Sequence, residues 1–288
     1  MPIEFGASID PSAAALAEAR RIARRADELG FHFVGIQDHP YQQRFLDTWM
    51  LLATLLAETE RVRFFPNVAN LPLRGPAMIA KQAASLDVLS GGRFELGLGA
   101  GYFWDGIAAM GGPRRTPGEG VDALAEGIEI VRAFWRGDES VHVLGRFYSA
   151  DGLKPGPTPV HPIELWVGAY QPRMLALTGR LADGWIPSLG YLPPDKVPDA
   201  RGRVDEAAAQ ADRDPGSIRR LYNVSGAITD GPAEELLVGP PAHWIEELTR
   251  FADELGFDTF VFWARDDPVA QLERFAQEVM PGVREAAA

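Results

Sequence analysis

The strongest constraint on the fold is a repeated alternation between short apolar runs and longer amphipathic stretches. Alternation of this kind predicts a parallel sheet in which each strand is followed by a helix. Eight such units in a chain of 288 residues favour a closed (β/α)8 barrel, the TIM-barrel architecture. The predicted strands are Ile3–Ile9, Phe33–Gln37, Arg63–Val68, Phe94–Leu98, Glu164–Val167, Trp185–Pro187, Leu221–Ile228 and Thr259–Trp263.

The amphipathic stretches between the strands predict the helices. Ser12 suits the N-cap of the first helix, and Gly30 suits its C-terminal stop. Val141–Ser149 is predicted as an additional strand pair, so we expect one domain over residues 1–288 with an insertion at about 102–160, after the fourth strand. The predicted helices are Ser12–Leu29, Asp47–Glu58, Pro76–Leu89, Gly120–Trp135, Pro172–Leu181, Asp195–Ala211, Ala242–Leu255 and Pro268–Val279.

An internal repeat supports closure of the barrel. The six residues Ala26–Phe31 recur unchanged as Ala252–Phe257. Each copy ends a predicted helix at glycine and leads into an apolar strand, so a closed barrel places the copies at the turns that enter the second and eighth strands. The alternative is an open doubly wound sheet, but no G-x-G-x-x-G follows an early strand, as a dinucleotide-binding sheet requires.

Composition excludes several classes of function. The net charge of −12 argues against binding to nucleic acid or anionic membranes. The absence of cysteine excludes disulfides and zinc–thiolate sites, and the five histidines show no metal-binding spacing, so we predict no metal. No apolar run reaches the roughly 18 residues of a membrane span. The N-terminus also lacks the pattern of a signal peptide, so we expect a cytoplasmic protein.

The loops that follow the strands hold the active site of a TIM barrel. Asp38 and His39 follow the second strand, and an acid beside an imidazole can transfer protons near neutral pH. The same residues, followed by proline, also suit an ordinary turn. Asn67 and Asn70 follow the third strand, where they could hydrogen-bond the edge of a heterocycle or form a polar turn.

The next two loops suggest a ligand site of extended shape. Gly97–Gly101 is made of small residues, which either let a flat ligand approach the backbone or allow tight packing. Tyr102 and Trp104 could line a pocket there. Gly168–Met174 begins a helix with proline, and its free N–H groups together with Arg173 predict a phosphate site, the alternative being an ordinary helix start. The lack of G-x-S-x-G disfavours a serine hydrolase.

Four segments together carry a resemblance to a known family. Asp38–Pro40, Asn70–Pro76, Lys81–Gly101 and Leu181–Trp185 resemble the bacterial-luciferase-like flavin-dependent oxidoreductases, and the resemblance covers nearly the whole chain. Within that family the chain is most similar to the group that uses the 8-hydroxy-5-deazaflavin coenzyme F420 rather than FMN. The resemblance implies a TIM barrel with an insertion after the fourth strand. It also implies a non-prolyl cis peptide at Asn67–Val68, behind the central ring of the coenzyme.

The resemblance further implies roles for the loop residues. His39 would be the acid or base near the centre of hydride transfer, and Asp38 would bind the ring or hydroxyl edge of the coenzyme. Relatives often dimerise through helices near the second and third strands, so we expect a homodimer. The implied contacts are Asn67, Val68, Asn70, Ala100 and Gly101 for the ring and side chain of the coenzyme, Gly168, Ala169, Tyr170, Arg173 and Met174 for its phosphate end, and Tyr102 and Trp104 for the substrate.

One departure from the family bears on the reaction. Deazaflavin dehydrogenases that oxidise sugar phosphates or alcohols tend to carry glutamate where this chain has Tyr102, which favours reduction of an activated alkene, imine or enone. The anionic coenzyme would need local cations, for which Arg74, Arg114, Arg115 and Arg173 are candidates. Two alternatives stay open: an FMN-dependent monooxygenase that uses externally reduced flavin and oxygen, and a non-catalytic flavin-binding protein.

Overall fold

A computed structural model describes residues 3–287. Its main sheet contains nine parallel strands that form a nearly closed barrel, and a short strand, β11, adds to the edge of β10. An antiparallel hairpin of β6 and β7 stands apart from the barrel. The strands are β1 Glu4–Ile9, β2 Phe33–Ile36, β3 Arg63–Pro66, β4 Ala69–Asn70, β5 Leu96–Gly99, β6 Val141–Leu144, β7 Ser149–Leu153, β8 Leu165–Val167, β9 Gly184–Trp185, β10 Arg219–Ile228, β11 Val238–Gly239 and β12 Thr259–Ala264.

Helices pack around the outside of this barrel, and a hydrophobic core that runs from Ile3 to Val283 joins them to the strands. No helix within residues 3–287 is long and apolar enough to cross a membrane. The helices are α1 Leu16–Leu29, α2 Thr48–Ala57, α3 Leu71–Arg74, α4 Pro76–Ser90, α5 Trp104–Ala109, α6 Pro117–Trp135, α7 Pro172–Leu181, α8 Val197–Ala209, α9 Pro241–Asp253, α10 Pro268–Arg274 and α11 Met280–Ala286.

The barrel closes around β1, which pairs with β2 on one side and β12 on the other. On the opposite side, a bridge between Phe64 and Phe94 joins β3 to the residues that precede β5. β3 and β4 are two halves of the third barrel strand, separated by a cis peptide bond between Asn67 and Val68. The predicted TIM barrel and the predicted cis bond are therefore both present.

The two copies of the six-residue repeat lie where a barrel requires them. The first copy ends α1 at Gly30 and leads to β2, and the second ends the α9 region at Gly256 and leads to β12. Both glycines have left-handed backbone angles, with φ of 79° and 77°. Glycine adopts this conformation at no steric cost, so it stops each helix and turns the chain back toward the barrel.

Inward-facing residues fill the barrel in layers, because side chains alternate along a strand. The middle layer is an apolar cluster that includes Phe33, Phe65 and Trp166, all fully buried. Leu221 and Val261 belong to the same cluster. Asn223 and Trp263 lie two residues further along the strands of Leu221 and Val261, in the next layer toward the carboxyl ends of the strands. We call this end of the barrel the mouth.

Two helix predictions need correction. The predicted last helix, Pro268–Val279, instead ends its α-helical part at Arg274, passes through a π-helical turn at Phe275–Val279 and continues as α11. The proline in the first turn of α11 does not stop it, since proline is tolerated there. Ser12 does not cap α1 with its side chain, because its hydroxyl donates to Asp10 Oδ1 at 2.6 Å and a 3₁₀ turn precedes the helix.

The insertion also differs in detail from the prediction. The strand pair does not lie within Val141–Ser149, because β7 begins at Ser149 and the hairpin turn occupies the four residues before it. The carboxylate of Glu126 in α6 accepts the backbone N–H groups of three turn residues. This contact from a distant helix fixes a turn that the local pattern does not reveal. α6 packs against α4 and α7, so it occupies the position of the fourth barrel helix.

Candidate functional site

Asp38 lies at the carboxyl end of β2, where its side chain is fully buried. Arg74 donates to it through Nε and Nη2, each at 2.8 Å, and the backbone N–H of Asn70 donates to Oδ2 at 2.9 Å. A bidentate arginine–carboxylate pair has strong directional preference, so this contact fixes the loop after β4 against the end of β2. The structure thus gives both oxygens of Asp38 partners within the protein.

Arg74 is balanced by a second carboxylate. Its Nη2 also donates to Asp47 Oδ2 at 2.8 Å, while Asp47 Oδ1 accepts two backbone N–H groups at the start of α2. Partial burial opposes ionisation of Asp47, but the hydrogen bond and charge of Arg74, together with the N–H groups, outweigh it and lower its pKa. One guanidinium therefore holds the ends of β2, β4 and α2 together.

His39 is partly buried beside Asp38, and its Nδ1 lies 2.8 Å from the hydroxyl of Tyr41. Burial lowers the pKa of His39, an effect that the negative charge of Asp38 only partly offsets. Burial and the same charge raise the pKa of Tyr41. At neutral pH the site therefore holds an uncharged imidazole hydrogen-bonded to a protonated phenol.

A polar network lies across the mouth, directly above the apolar middle layer. Asn67 Nδ2 donates to Asn223 Oδ1 at 2.7 Å, and Trp263 Nε1 donates to the same oxygen at 3.1 Å. Asn223 Nδ2 in turn lies 3.2 Å from Ser188 Oγ. Residues of four barrel strands, or of the segments that follow them, are thereby linked across the mouth, and the network fixes the side chain of Asn67.

Val68 lies over the glycines of β5. A Cβ atom at Gly99 would lie 2.8 Å from Val68 Cγ2, and one at Gly97 would lie 2.2 Å from the carbonyl oxygen of Pro66. Gly168 of the neighbouring loop faces Val68 at a looser 3.7 Å. The small residues at this point thus make room for the protein's own third strand. Gly97–Gly101 was predicted either to let a flat ligand approach or to allow tight packing. Tight packing is what the structure shows at Gly97 and Gly99.

Asn70 brings a buried polar atom without a partner to the mouth. Its side chain is 5% exposed, and its Oδ1 has no hydrogen-bond partner among the described residues. A buried acceptor without a donor is costly, by about 1–3 kcal/mol, and calls for an explanation such as a bound ligand. The ring N–H of a flavin or deazaflavin is a donor of the required kind, so the residues present fit such a coenzyme.

The loop after β5 brings the predicted small and aromatic residues to one side of the mouth. Gly101 has φ of 89°, and a Cβ atom there would lie 3.2 Å from the Trp104 indole and 2.7 Å from Pro72. Ala100 approaches Gly120 at the start of α6. The Trp104 indole therefore packs beside Gly101 and Gly120. Tyr102, in contrast, is 91% exposed.

The predicted phosphate end lies at the start of α7. The helix has Pro172 in its first turn and no side-chain cap, so its first N–H groups are available to an anion. Arg173 donates to Asp122 Oδ1 at 2.7 Å, in a pair that is exposed on both sides. Ala169 is buried, and its carbonyl accepts from Trp185 Nε1 at 3.0 Å. The remaining residues of this segment are Gly168 and Met174, both partly buried, and Tyr170, whose hydroxyl accepts the backbone N–H of Ser188.

Comparison with known proteins identifies the family. The family model described as Luciferase-like monooxygenase matches residues 1–236. The chain belongs to this family. An uncharacterised protein of Mycobacterium tuberculosis is 33% identical to it over 215 residues, which cover 71% of this chain and 72% of that protein. The predicted family is confirmed, and with it the prediction of an oxidoreductase enzyme.

Two further proteins similar to this luciferase-like protein have named activities. The F420-dependent glucose-6-phosphate dehydrogenase of Intrasporangium calvum is 28% identical over 315 residues, covering 90% of this chain and 92% of that one. Among solved structures, an F420-dependent secondary alcohol dehydrogenase in complex with an F420–acetone adduct superposes with a TM-score of 0.85. That structure is 18% identical and covers 98% of this chain and 99% of its own, a likeness that concerns the fold alone.

The site of this luciferase-like protein includes residues that the sequence analysis did not name. Asn223 and Trp263 occupy inward positions of strands that were predicted, so counting alternate residues from Leu221 and Val261 would have placed them. Tyr41 lies in a loop, where no periodic pattern reveals which side chains meet. Within residues 3–287 no three acidic or histidine side chains are grouped as a metal site would need.

Proposed function

We propose that this protein is an F420-dependent oxidoreductase that transfers hydride between the deazaflavin and a small organic substrate. The observation that carries the proposal is the buried, unpaired Asn70 Oδ1 at the mouth, in a residue whose backbone N–H donates to Asp38, the neighbour of His39. The choice of F420 over FMN is supported by the F420-dependent enzymes among the relatives. When bound, the deazaflavin supplies the hydride chemistry, while the protein supplies position and electrostatics.

Each part of the mouth would then contact a different part of the coenzyme. Asn70 Oδ1 would accept a ring N–H, and the backbone around Val68 would lie behind the ring. Ala100 and Gly101 would contact its side chain. The free N–H groups at the start of α7 would hold the phosphate, with Arg173 adding positive charge at modest strength, because it is exposed and already paired.

In this proposal Asp38 orients other residues of the site, whereas the resemblance implies that it binds the coenzyme. Its oxygens are committed to Arg74 and to the N–H of Asn70, so we propose that it orients Asn70 and the loop of His39 instead of contacting the coenzyme. His39 is left to hold or accept a proton at the reacting centre. This division matches an imidazole that is neutral at physiological pH beside a carboxylate that is neutralised by arginine.

The charges around the mouth support an uncharged substrate. Arg74, Arg114 and Arg173 each pair with at least one carboxylate, at 2.8, 2.6 and 2.7 Å. Arg115 lies over the ring of Tyr148 at 4.7 Å and donates to its hydroxyl. The anionic coenzyme would compete for these groups first, which leaves little positive charge for a phosphorylated substrate. Together with Tyr102 in place of a glutamate, this favours an uncharged enone, imine or activated alkene.

Turnover under two sets of conditions tests the proposal. In the first, reduced F420 is mixed anaerobically with the protein and a panel of uncharged enones and imines, and oxidation of the coenzyme is followed by absorbance. In the second, the protein receives reduced FMN and oxygen, and oxygen uptake is compared with that of free reduced FMN. We expect turnover in the first arm alone. Turnover in the second arm alone would establish the FMN monooxygenase, and binding without turnover in either would favour a non-catalytic flavin-binding protein.

A further inference from the structure

The hydroxyl of Tyr41 is the partner of one ring nitrogen of His39, and the other has no partner within the described residues. The Nδ1–Oη distance is 2.8 Å, and Nε2 makes no hydrogen bond to residues 3–287. In a histidine, the bond made by one nitrogen determines which nitrogen carries the proton. Whether Nε2 presents a proton to a ligand is therefore determined by the direction of the hydrogen bond between Tyr41 and Nδ1.

Packing holds the ring of Tyr41 in place. It meets the ring of Phe103 edge to face, with centroids 5.3 Å apart and planes at 65°. Gly106 of α5 lies directly beneath both rings, since a Cβ atom there would lie 2.8 Å from Tyr41 Cγ and 2.6 Å from Phe103 Cδ1. The insertion thus holds the ring of Tyr41 in place, and Tyr41 in turn is hydrogen-bonded to His39.

The direction of the hydrogen bond follows from what each group can do. Tyr41 is protonated at neutral pH, and its hydroxyl has no acceptor within the described residues other than Nδ1 of His39. A phenol O–H is a stronger donor than the N–H of a neutral imidazole, and a bare imidazole nitrogen is a stronger acceptor than a phenol oxygen. The phenol therefore donates to a bare Nδ1, and the imidazole proton lies on Nε2.

We propose that Tyr41 is a positioning residue that holds His39 in the Nε2–H tautomer, so that the imidazole presents a hydrogen-bond donor to an oxygen of the ligand. A donor at Nε2 suits a carbonyl oxygen, whereas the opposite tautomer would present a base suited to an alcohol. The tautomer stands independently of the proposed function. Its use toward a carbonyl-containing substrate rests on that function.

The tautomer is measured by ¹⁵N NMR of the imidazole groups in the coenzyme-free protein at neutral pH, with His39→Asn used to assign the signal. A fixed tautomer gives two well-separated ¹⁵N shifts, and coupling to carbon-bound protons tells which nitrogen is protonated. We expect protonation at Nε2 in the wild type and averaged shifts in Tyr41→Phe, which keeps the aromatic packing. Tyr191→Phe, at an exposed tyrosine that is not among the predicted site residues, is the matched control and should leave the His39 signals unchanged.

Protonation at Nδ1 in the wild type, or unaltered His39 shifts in Tyr41→Phe, would overturn the proposal. Gly106→Ala gives a second route, because it displaces the tyrosine ring without removing its hydroxyl, and it should produce the same averaging. If the enzyme is active with F420, Tyr41→Phe should lower kcat about tenfold with little change in coenzyme affinity, the loss expected for one hydrogen bond. A correct tautomer in a protein that shows no F420 turnover would refute the proposed function and leave the positioning role intact.

Discussion

At the scale of single residues, the site places a carboxylate paired with arginine next to a neutral imidazole. Asp38 makes the bidentate pair with Arg74, and burial lowers the pKa of the neighbouring His39. The position of both residues after a strand predicted that they belong to the site. The pairing of Asp38 with Arg74 could not be predicted, because that contact joins residues 36 positions apart.

Replacing His39 tests its catalytic role directly. His39→Asn should bind the coenzyme with nearly wild-type affinity but lose about 10²- to 10⁴-fold in turnover, the usual contribution of general acid–base catalysis. Affinity is measured by quenching of coenzyme fluorescence, and turnover by absorbance. Release of the coenzyme with unchanged turnover per bound molecule would make His39 a binding residue instead.

Replacing Asp38 separates a structural role from a coenzyme-binding role. Asp38→Asn removes one partner of a buried ion pair, so it should lower the free energy of unfolding by about 3 kcal/mol in urea titrations. Asp105→Asn is the control, since its pair with Arg114 is exposed and should be worth less than about 1 kcal/mol. Unchanged stability with lost coenzyme binding would restore the role that the resemblance implies for Asp38.

At the scale of elements, local patterns predicted the strands and helices well where one face of the element is buried. Pro172–Leu181 was placed with its observed bounds, and Gly30 was correctly identified as the end of α1. The predicted bounds are wrong where contacts outside the local segment determine the structure. Glu126, which belongs to α6, fixes the turn of the hairpin. The last helix continues through a π-helical turn that no sequence pattern indicated.

The approach of the third strand to β5 predicts a strict requirement for glycine. Gly97→Ala places a Cβ atom 2.2 Å from the carbonyl oxygen of Pro66, so the two strands must separate. We expect a loss of about 3 kcal/mol or more in the free energy of unfolding, in the range of severe overpacking. Gly202→Ala is the control: its Cβ meets nothing within 4 Å and it lies in α8, so it should stabilise the protein by about 0.5–1 kcal/mol. Equal effects of the two variants would contradict the packing account.

At the scale of the whole molecule, a closed barrel brings the loops of eight strand–helix units to one end, and the site is assembled there from residues far apart in sequence. Asn67 and Asn223, which are 156 positions apart, meet in this way. The alternation of elements and the repeated Ala26–Phe31 segment were enough to predict the closure. The pairings across the mouth required coordinates, because sequence order does not reveal which loops touch.

Exposed apolar side chains on α2 and α4 support the expected homodimer, which we propose forms through these helices. Met50 on α2 is 62% exposed, and Met78 and Leu89 on α4 are 56% and 82% exposed. The double variant Met50→Glu with Met78→Glu should shift a dimer toward monomer in sedimentation-velocity experiments, because it places charge in an apolar interface. Leu144→Glu, at an exposed apolar residue of the hairpin, should leave the dimer unchanged. A wild-type monomer at micromolar concentration would contradict the proposal.

The choice of coenzyme is the central claim, and a spectral titration of the coenzyme-free protein with F420 and FMN tests it most directly. The two titrations are run in the same buffer at a fixed ionic strength, because both ligands are anionic. We predict that F420 binds at least tenfold more tightly than FMN, a difference of about 1.4 kcal/mol. Equal or tighter binding of FMN would contradict the account.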